Sequence, residues 1–189
     1  MRVVAGEAKG RRLVTPAGRT TRAATERIRE SLFAILAPEI DGARVLDLFA
    51  GAGTLGIEAL SRGAAFATFV ERAAPAAAAI RTNLGTTGSA DRAKIVRAEV
   101  LAFLAGHGVG GPYDLVLCDP PFADLGVLAA TLAHPGLRAA LAAGGTVVAR
   151  ALRKHPPALP SGARIERAKE IGEEALLFLR YDALASPRE

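Results

Sequence analysis

Three glycines and three acids carry the first chemical signal in this sequence. Gly51, Gly53 and Gly56 follow the apolar run Arg44-Val45-Leu46-Asp47-Leu48-Phe49 with the spacing Gly-x-Gly-x-x-Gly. A glycine turn between a strand and a helix lets the backbone bend sharply and approach a ligand closely. With the glycines and a following acid alone, an NAD enzyme and a methyltransferase are both open. Asp47 lies four residues before Gly51, beside the turn. A pyrophosphate would be repelled there and an ammonium group attracted. Glu71 ends the next apolar run, where a carboxylate can accept two hydrogen bonds from a ribose diol. Glu99 follows the third run, placed to accept from an adenine amino group. Three acids at three adjacent strand tips suit a cationic nucleoside better than a diphosphate. The bland reading, a structural turn with ordinary capping acids, accounts for the glycines but not for all three acids.

A second signal is Asp119-Pro120-Pro121-Phe122, which closes the run Tyr113-Asp114-Leu115-Val116-Leu117-Cys118. Proline removes backbone donors and leaves carbonyls free. An exocyclic amine on a base needs acceptors for two N–H groups, which the Asp119 carboxylate and the Pro120 carbonyl can supply. Phe122 can then stack on the base face, worth about 1–3 kcal/mol. A lone Asp-Pro-Pro turn with a core Phe is the competing reading. Its position after the fourth strand is what makes the signal specific.

These groups need a scaffold that brings strand tips together. The runs at 44–49, 67–71, 94–97, 113–119 and 145–149 alternate with alanine-rich stretches that suit helices. Strands buried on both faces and separated by helices imply a doubly wound, mostly parallel α/β sheet. Ligands sit at its carboxyl edge. Runs at 164–166 and 175–179 flank Gly172 and predict a closing antiparallel pair, which makes seven strands. Upstream, Val3-Val4-Ala5 and Arg12-Leu13-Val14 flank a loop with two glycines and read as a hairpin. Ile28, Leu32, Ile35 and Leu36 then recur at helical spacing, with Thr25 as N-cap and Pro38 as stop. The expected organisation is an extension over 1–38, a sheet domain over 39–182 and a flexible tail over 183–189.

The chain has 189 residues, 41 of them alanine, which is enough for one domain with a real core. One cysteine excludes a disulfide scaffold. No apolar run reaches the ~18 residues of a membrane helix. The N-terminus lacks the apolar stretch of a signal peptide. A cytoplasmic protein follows as the expectation, with no membrane attachment. The formal charge is +5, and it is uneven. Residues 1–30 hold eight cations against three anions, a surplus of five, and the remainder is neutral. A basic arm on a neutral domain points to a polyanion. If six or more of its cations met phosphates, affinity would fall about a thousandfold between 50 and 200 mM salt.

At this point the chain resembles a class I, Rossmann-like S-adenosylmethionine-dependent methyltransferase carrying an amino-methylating motif. More narrowly it resembles the RsmD-type family, which methylates guanine N2 in bacterial 16S ribosomal RNA. The resemblance rests on Arg2-Val3-Val4-Ala5-Gly6, Lys9-Gly10-Arg11-Arg12-Leu13, Arg27 through Phe33, Asp47 through Gly56, Glu58 through Ala64 and Asp119 through Phe122. The N-terminal segments are the most family-specific. It implies Asp119, Pro120 and Phe122 at the methyl acceptor. It implies Asp47, Phe49, Gly51, Gly53, Glu71, Glu99 and Val100 at S-adenosylmethionine. Lys9, Arg11, Arg12, Arg22 and Arg27 would meet RNA. It further implies a monomer that needs no metal and acts on the assembling small subunit. The chain departs from the family pattern Arg-Pro-Thr-Thr-Asp-Arg at Arg22-Ala23-Ala24-Thr25-Glu26-Arg27, and Glu99 replaces a more usual Asp.

Two rival functions stand beside this one: amino-methylation of DNA adenine or protein glutamine, and a non-catalytic RNA-binding assembly factor. The intact glycine loop and Asp119-Pro120-Pro121-Phe122 weigh against the second. His107, His134 and His155 lack metal-ligand spacing. Cys118 reads as core and Glu173-Glu174 as a solvated turn.

Overall fold

The computed structural model describes residues 1–16, 24–106, 109–122 and 124–182. Arg22, Ala23, His107 and the expected tail over 183–189 lie outside the described residues.

Helix α1 (Glu26–Ile40) starts as read, with the Thr25 hydroxyl accepting from the Ile28 N–H at 3.3 Å. It does not stop at Pro38. The helix carries that proline in its last turn and ends at Ile40, which is buried. Burying an isoleucine contributes roughly 1.5–3 kcal/mol, enough to offset the strain of a proline so near the helix end.

Strand and helix then alternate: β1 (Arg44–Leu48), α2 (Thr54–Ser61), β2 (Phe66–Val70), α3 (Ala74–Thr87), β3 (Ala93–Val96), α4 (Val100–Ala105) and β4 (Tyr113–Cys118). Next come α5 (Leu125–Ala133), α6 (Pro135–Ala140), β5 (Leu141–Leu152), β6 (Ala163–Ile171) and β7 (Glu174–Tyr181). The seven strands form one sheet in the order β3-β2-β1-β4-β5-β7-β6. The first five run parallel, while β7 is antiparallel to both β5 and β6. This is the expected doubly wound sheet with its closing hairpin.

Successive strand residues feed opposite faces. Val45, Phe69, Leu115, Leu117 and Val148 pack in one apolar cluster with Ile28, Leu32 and Phe33 of α1, Leu60 of α2 and Ile80 of α3. Leu46, Leu48, Val70, Val116 and Val147 pack in a second with Leu104 of α4, Leu128 of α5 and Leu137 of α6. The continuous apolar runs exist because both faces are covered.

The N-terminal hairpin is short, one antiparallel bridge between Arg2 and Arg12. It lies against α2 and α3. Glu58, fully buried, accepts from the N–H groups of Val4 at 2.8 Å and Ala5 at 3.0 Å. Ser61 accepts from the Ala8 N–H and donates to the Ala5 carbonyl. Asn83 accepts from the Val14 N–H and donates to the Val14 and Ala52 carbonyls. Gly6 has φ +85°, and a Cβ there would lie 1.7 Å from the Ser61 carbonyl oxygen. Val3, Ala8 and Leu13 join the first core cluster. The described part of the extension over 1–38 therefore shares its core with the sheet.

Candidate active site

Sheet register sets the site. Leu48 pairs with Val70 and with Cys118, Val70 with Val96, and Cys118 with Ala149. The residues that follow these tips share one edge, and an open groove of about 970 Å³ runs along it. Asp47, Phe49, Gly51, Glu71, Glu99 and Val100 line it on one side. Asp119, Pro120, Pro121 and Phe122 line it on the other. Both sequence motifs thus face one space. Thr15 and Pro16 place the end of the described arm at its rim.

Gly51, at φ +57°, opens to the groove, since a Cβ there would meet nothing within 4 Å. Phe49 also has positive φ, at 61°, an uncommon conformation for an aromatic residue. Gly53 is outside the lining and is buried: a Cβ there would come within 3.2 Å of Ile80 and Phe69, and its N–H bonds the Ala50 carbonyl at 2.7 Å. It shapes the turn and packs beneath it. Gly56 serves close packing too, with Phe69 Cε1 at 2.3 Å from its Cβ position.

Asp47 is 1% exposed, and its Oδ2 accepts from the Gly56 N–H at 2.9 Å. Burial pushes its carboxyl up to about 8, opposed by that hydrogen bond and reinforced by the charges of Asp119 and Glu71. Glu71 places one oxygen on the Gly51 N–H at 2.9 Å and the other on the Ala73 N–H at 2.7 Å. It ties the glycine loop to the start of α3, a structural role invisible in the sequence. Each of its oxygens retains further acceptor capacity. Glu99 is exposed and paired with Arg72 Nη1 at 3.1 Å.

At the other end, Asp119 accepts from Arg150 Nη1 through both oxygens at 2.7 Å. Arg150, 4% exposed, also donates from Nε to Glu174 Oε2 at 2.7 Å, and its guanidinium carbon lies 4.8 Å from the Phe122 ring centroid. Burial raises the Asp119 carboxyl to about 6 against the pull of Arg150. Cys118 is buried as expected, and desolvation pushes its thiol up. Sequence reasoning missed Arg150 and took Glu174 for part of a solvated turn. Glu173 is exposed, but Glu174 points its carboxylate at Arg150. The available signal was a single Arg inside the apolar run Val147-Val148-Ala149-Arg150-Ala151-Leu152. A charge in a buried strand demands a partner.

The basic arm is smaller than its charge count. Arg29 is 1% exposed and donates to the Arg2 carbonyl at 2.9 Å and to Glu58 at 3.4 Å. Arg2 pairs with Glu26. Both cations have carboxylate partners within the chain, Arg29 buried and Arg2 at the surface. Lys9, Arg11, Arg12 and Arg27 are exposed, and among the described residues no carboxylate pairs with them. Also among these residues, no group of three or more His, Cys, Asp or Glu is placed to hold a metal.

A Rossmann-like sheet with this strand order and a groove across its carboxyl edge defines the class as the methyltransferase fold. A family profile described as "Conserved hypothetical protein 95" matches residues 1–180, and the chain belongs to that family. It is 43% identical over 122 residues to Ribosomal RNA small subunit methyltransferase D of Escherichia coli strain K12, a stretch covering 65% of this chain and 60% of that protein. The aligned part is thus under two thirds of that relative. The same enzyme name is carried by a Haemophilus influenzae protein 37% identical over 123 residues, covering 65% of this chain and 64% of that one. The solved structure of Escherichia coli yhhF superposes with a TM-score of 0.85 at 34% identity, covering 97% of this chain and 99% of that one.

Proposed function

We propose that the protein transfers a methyl group from S-adenosylmethionine to the exocyclic N2 of a guanine in small-subunit ribosomal RNA. The observation that carries this reading is the shared groove: an acid-lined nucleoside half, and an Asp-Pro-Pro-Phe half that can present acceptors to an amine. The chain's own residues fit the cofactor. The groove has the size of a small-molecule site. Gly51 leaves its floor open, Glu71 and Asp119 give it negative charge, and Asp47, held protonated by burial in the free protein, can ionise against a bound cation. Asp47 would face the ammonium group, Glu71 the ribose and Glu99 the adenine, with Phe49 and Val100 as apolar walls.

When bound, S-adenosylmethionine supplies an activated methyl group on a cationic sulfonium. The protein's task is alignment, which is worth roughly 7–11 kcal/mol. Asp119 and the Pro120 carbonyl accept the two N–H groups of the amine and aim its lone pair into the groove. Phe122 holds the base by stacking. Asp119 need not act as a strong base, because the amine can lose its proton after transfer. The target base leaves its stack at a cost of a few kcal/mol, least for a loop nucleotide. The names of the relatives favour ribosomal RNA, and Lys9, Arg11, Arg12 and Arg27 supply exposed positive charge for its phosphates. Arg22 is assigned the same role from sequence. The protein would act as a cytoplasmic monomer on the assembling subunit.

The test is labelled methyl transfer to intact small subunits, naked ribosomal RNA and DNA, followed by digestion to nucleosides. N2-methylguanosine from RNA, lost in Asp119→Ala, is expected. Label in DNA adenine, or Asp119→Ala as active as the parent, would overturn the proposal.

A further inference from the structure

Among the described residues, Arg150 is the strongly buried cation that borders the groove, and two separate segments converge on it. Asp119 and Phe122 come from the loop between β4 and α5, and Glu174 from the first residue of β7. Arg150 itself stands on β5, one residue past Ala149, the register partner of Cys118. Burying a guanidinium is costly unless its geometry is satisfied. Here Nη1 reaches both Asp119 oxygens at 2.7 Å, Nε reaches Glu174 at 2.7 Å, and the planar head lies against an aromatic ring at 4.8 Å.

We infer that Arg150, anchored by Glu174, is the positioning residue of the methyl-acceptor site, holding Asp119 and Phe122 as one rigid wall. This rests on the proposed reaction. Arg150 touches the two groups assigned to the amine and the base, and fixes the rotamer of one and the ring position of the other. Two carboxylates against one guanidinium leave this end of the groove with a single negative charge, suited to an amine donor and a sulfonium. The hairpin of β6 and β7 thereby gains a functional part: it delivers Glu174, whose carboxylate orients the guanidinium through Nε.

A lysine keeps the charge but lacks the planar fork that meets two carboxylates and a ring together. Methyl transfer to small subunits is therefore compared for the parent, Arg150→Lys and Glu174→Gln, with thermal melting as a check on folding. Glu174→Gln keeps an acceptor for Nε and guards against a poorly folded Arg150→Lys. Arg150→Lys should lower kcat about 10- to 100-fold with little change in KM for S-adenosylmethionine, as misplacement of a reacting group does. Glu174→Gln should lower it less, with the same split. The acid limb of the kcat profile should move to higher pH in Arg150→Lys. The charged groups that bear on Asp119 are Arg150 and Glu174, with Asp47 nearby, and Arg150 alone favours its ionised form. Folded variants with parental kcat and parental acid limb would overturn this inference alone. A parent protein that methylates no RNA overturns the proposed reaction and this inference with it.

Discussion

Asp47 should cost the free protein stability that cofactor binding recovers. It is 1% exposed, and its carboxyl is raised from an ordinary 3.8 to about 8, chiefly by burial. A raised acid favours the protonated form in the fold. Its contribution is fully present below pH 3.8 and is lost as pH climbs toward 8. At about 1.4 kcal/mol for each tenfold change in proton affinity, the full span is of order 5 kcal/mol. Asp47→Asn cannot ionise, and its carbonyl can still accept from the Gly56 N–H. Burying the amide N–H₂ returns roughly 1–3 kcal/mol of the gain. The variant should therefore be more stable than the parent by about 3 kcal/mol at pH 9, with the advantage shrinking toward pH 5. Urea denaturation at pH 5, 7 and 9, at constant ionic strength, measures the difference directly. The same variant should bind S-adenosylmethionine about 10- to 100-fold more weakly in calorimetry, the loss of a hydrogen bond to a charged partner. A parent and variant with parallel stability curves across this range would refute the burial argument. Unchanged cofactor affinity would remove Asp47 from the ammonium site.

Other outcomes follow from the docking of the arm and its charge. Glu58→Ala strands two backbone N–H groups and the buried Arg29, so it should destabilise by about 3–5 kcal/mol in urea titration. Gly6→Ala should undock the arm, seen as faster amide exchange at Val4, Ala5 and Ala8 while β1 and β4 keep their protection; the Ser61 carbonyl leaves no room for the methyl. With Arg29 buried on Glu58 and Arg2 paired at the surface with Glu26, the cations left for RNA are the exposed Lys9, Arg11, Arg12 and Arg27, with Arg22 assigned beside them. RNA affinity should then fall about 500-fold between 50 and 200 mM salt, and a flat response would remove the arm from the interface.

The strands, their parallel arrangement and the two motifs were legible in the chain because they depend on local pattern. A strand covered on both faces must be apolar throughout, and a tight turn against a ligand needs glycine. Those rules reach only a few residues along the sequence, so they located Asp47, Glu71, Glu99 and Asp119 but could not say what each would touch. Tertiary structure decided that. It turned Arg29 inward onto Glu58, and so removed from the basic arm a charge that counting had included there. It gave Glu71 to the backbone of the glycine loop. It carried α1 past Pro38 because Ile40 had a core to enter. It brought Glu174 on the neighbouring strand β7 to Arg150, and Arg150 to Asp119 and Phe122. Sequence fixes which groups are present, but a charge has its effect through space. In this protein the partners that set Asp119 lie 31 and 55 positions along the chain, at Arg150 and Glu174, where only the sheet order puts them side by side.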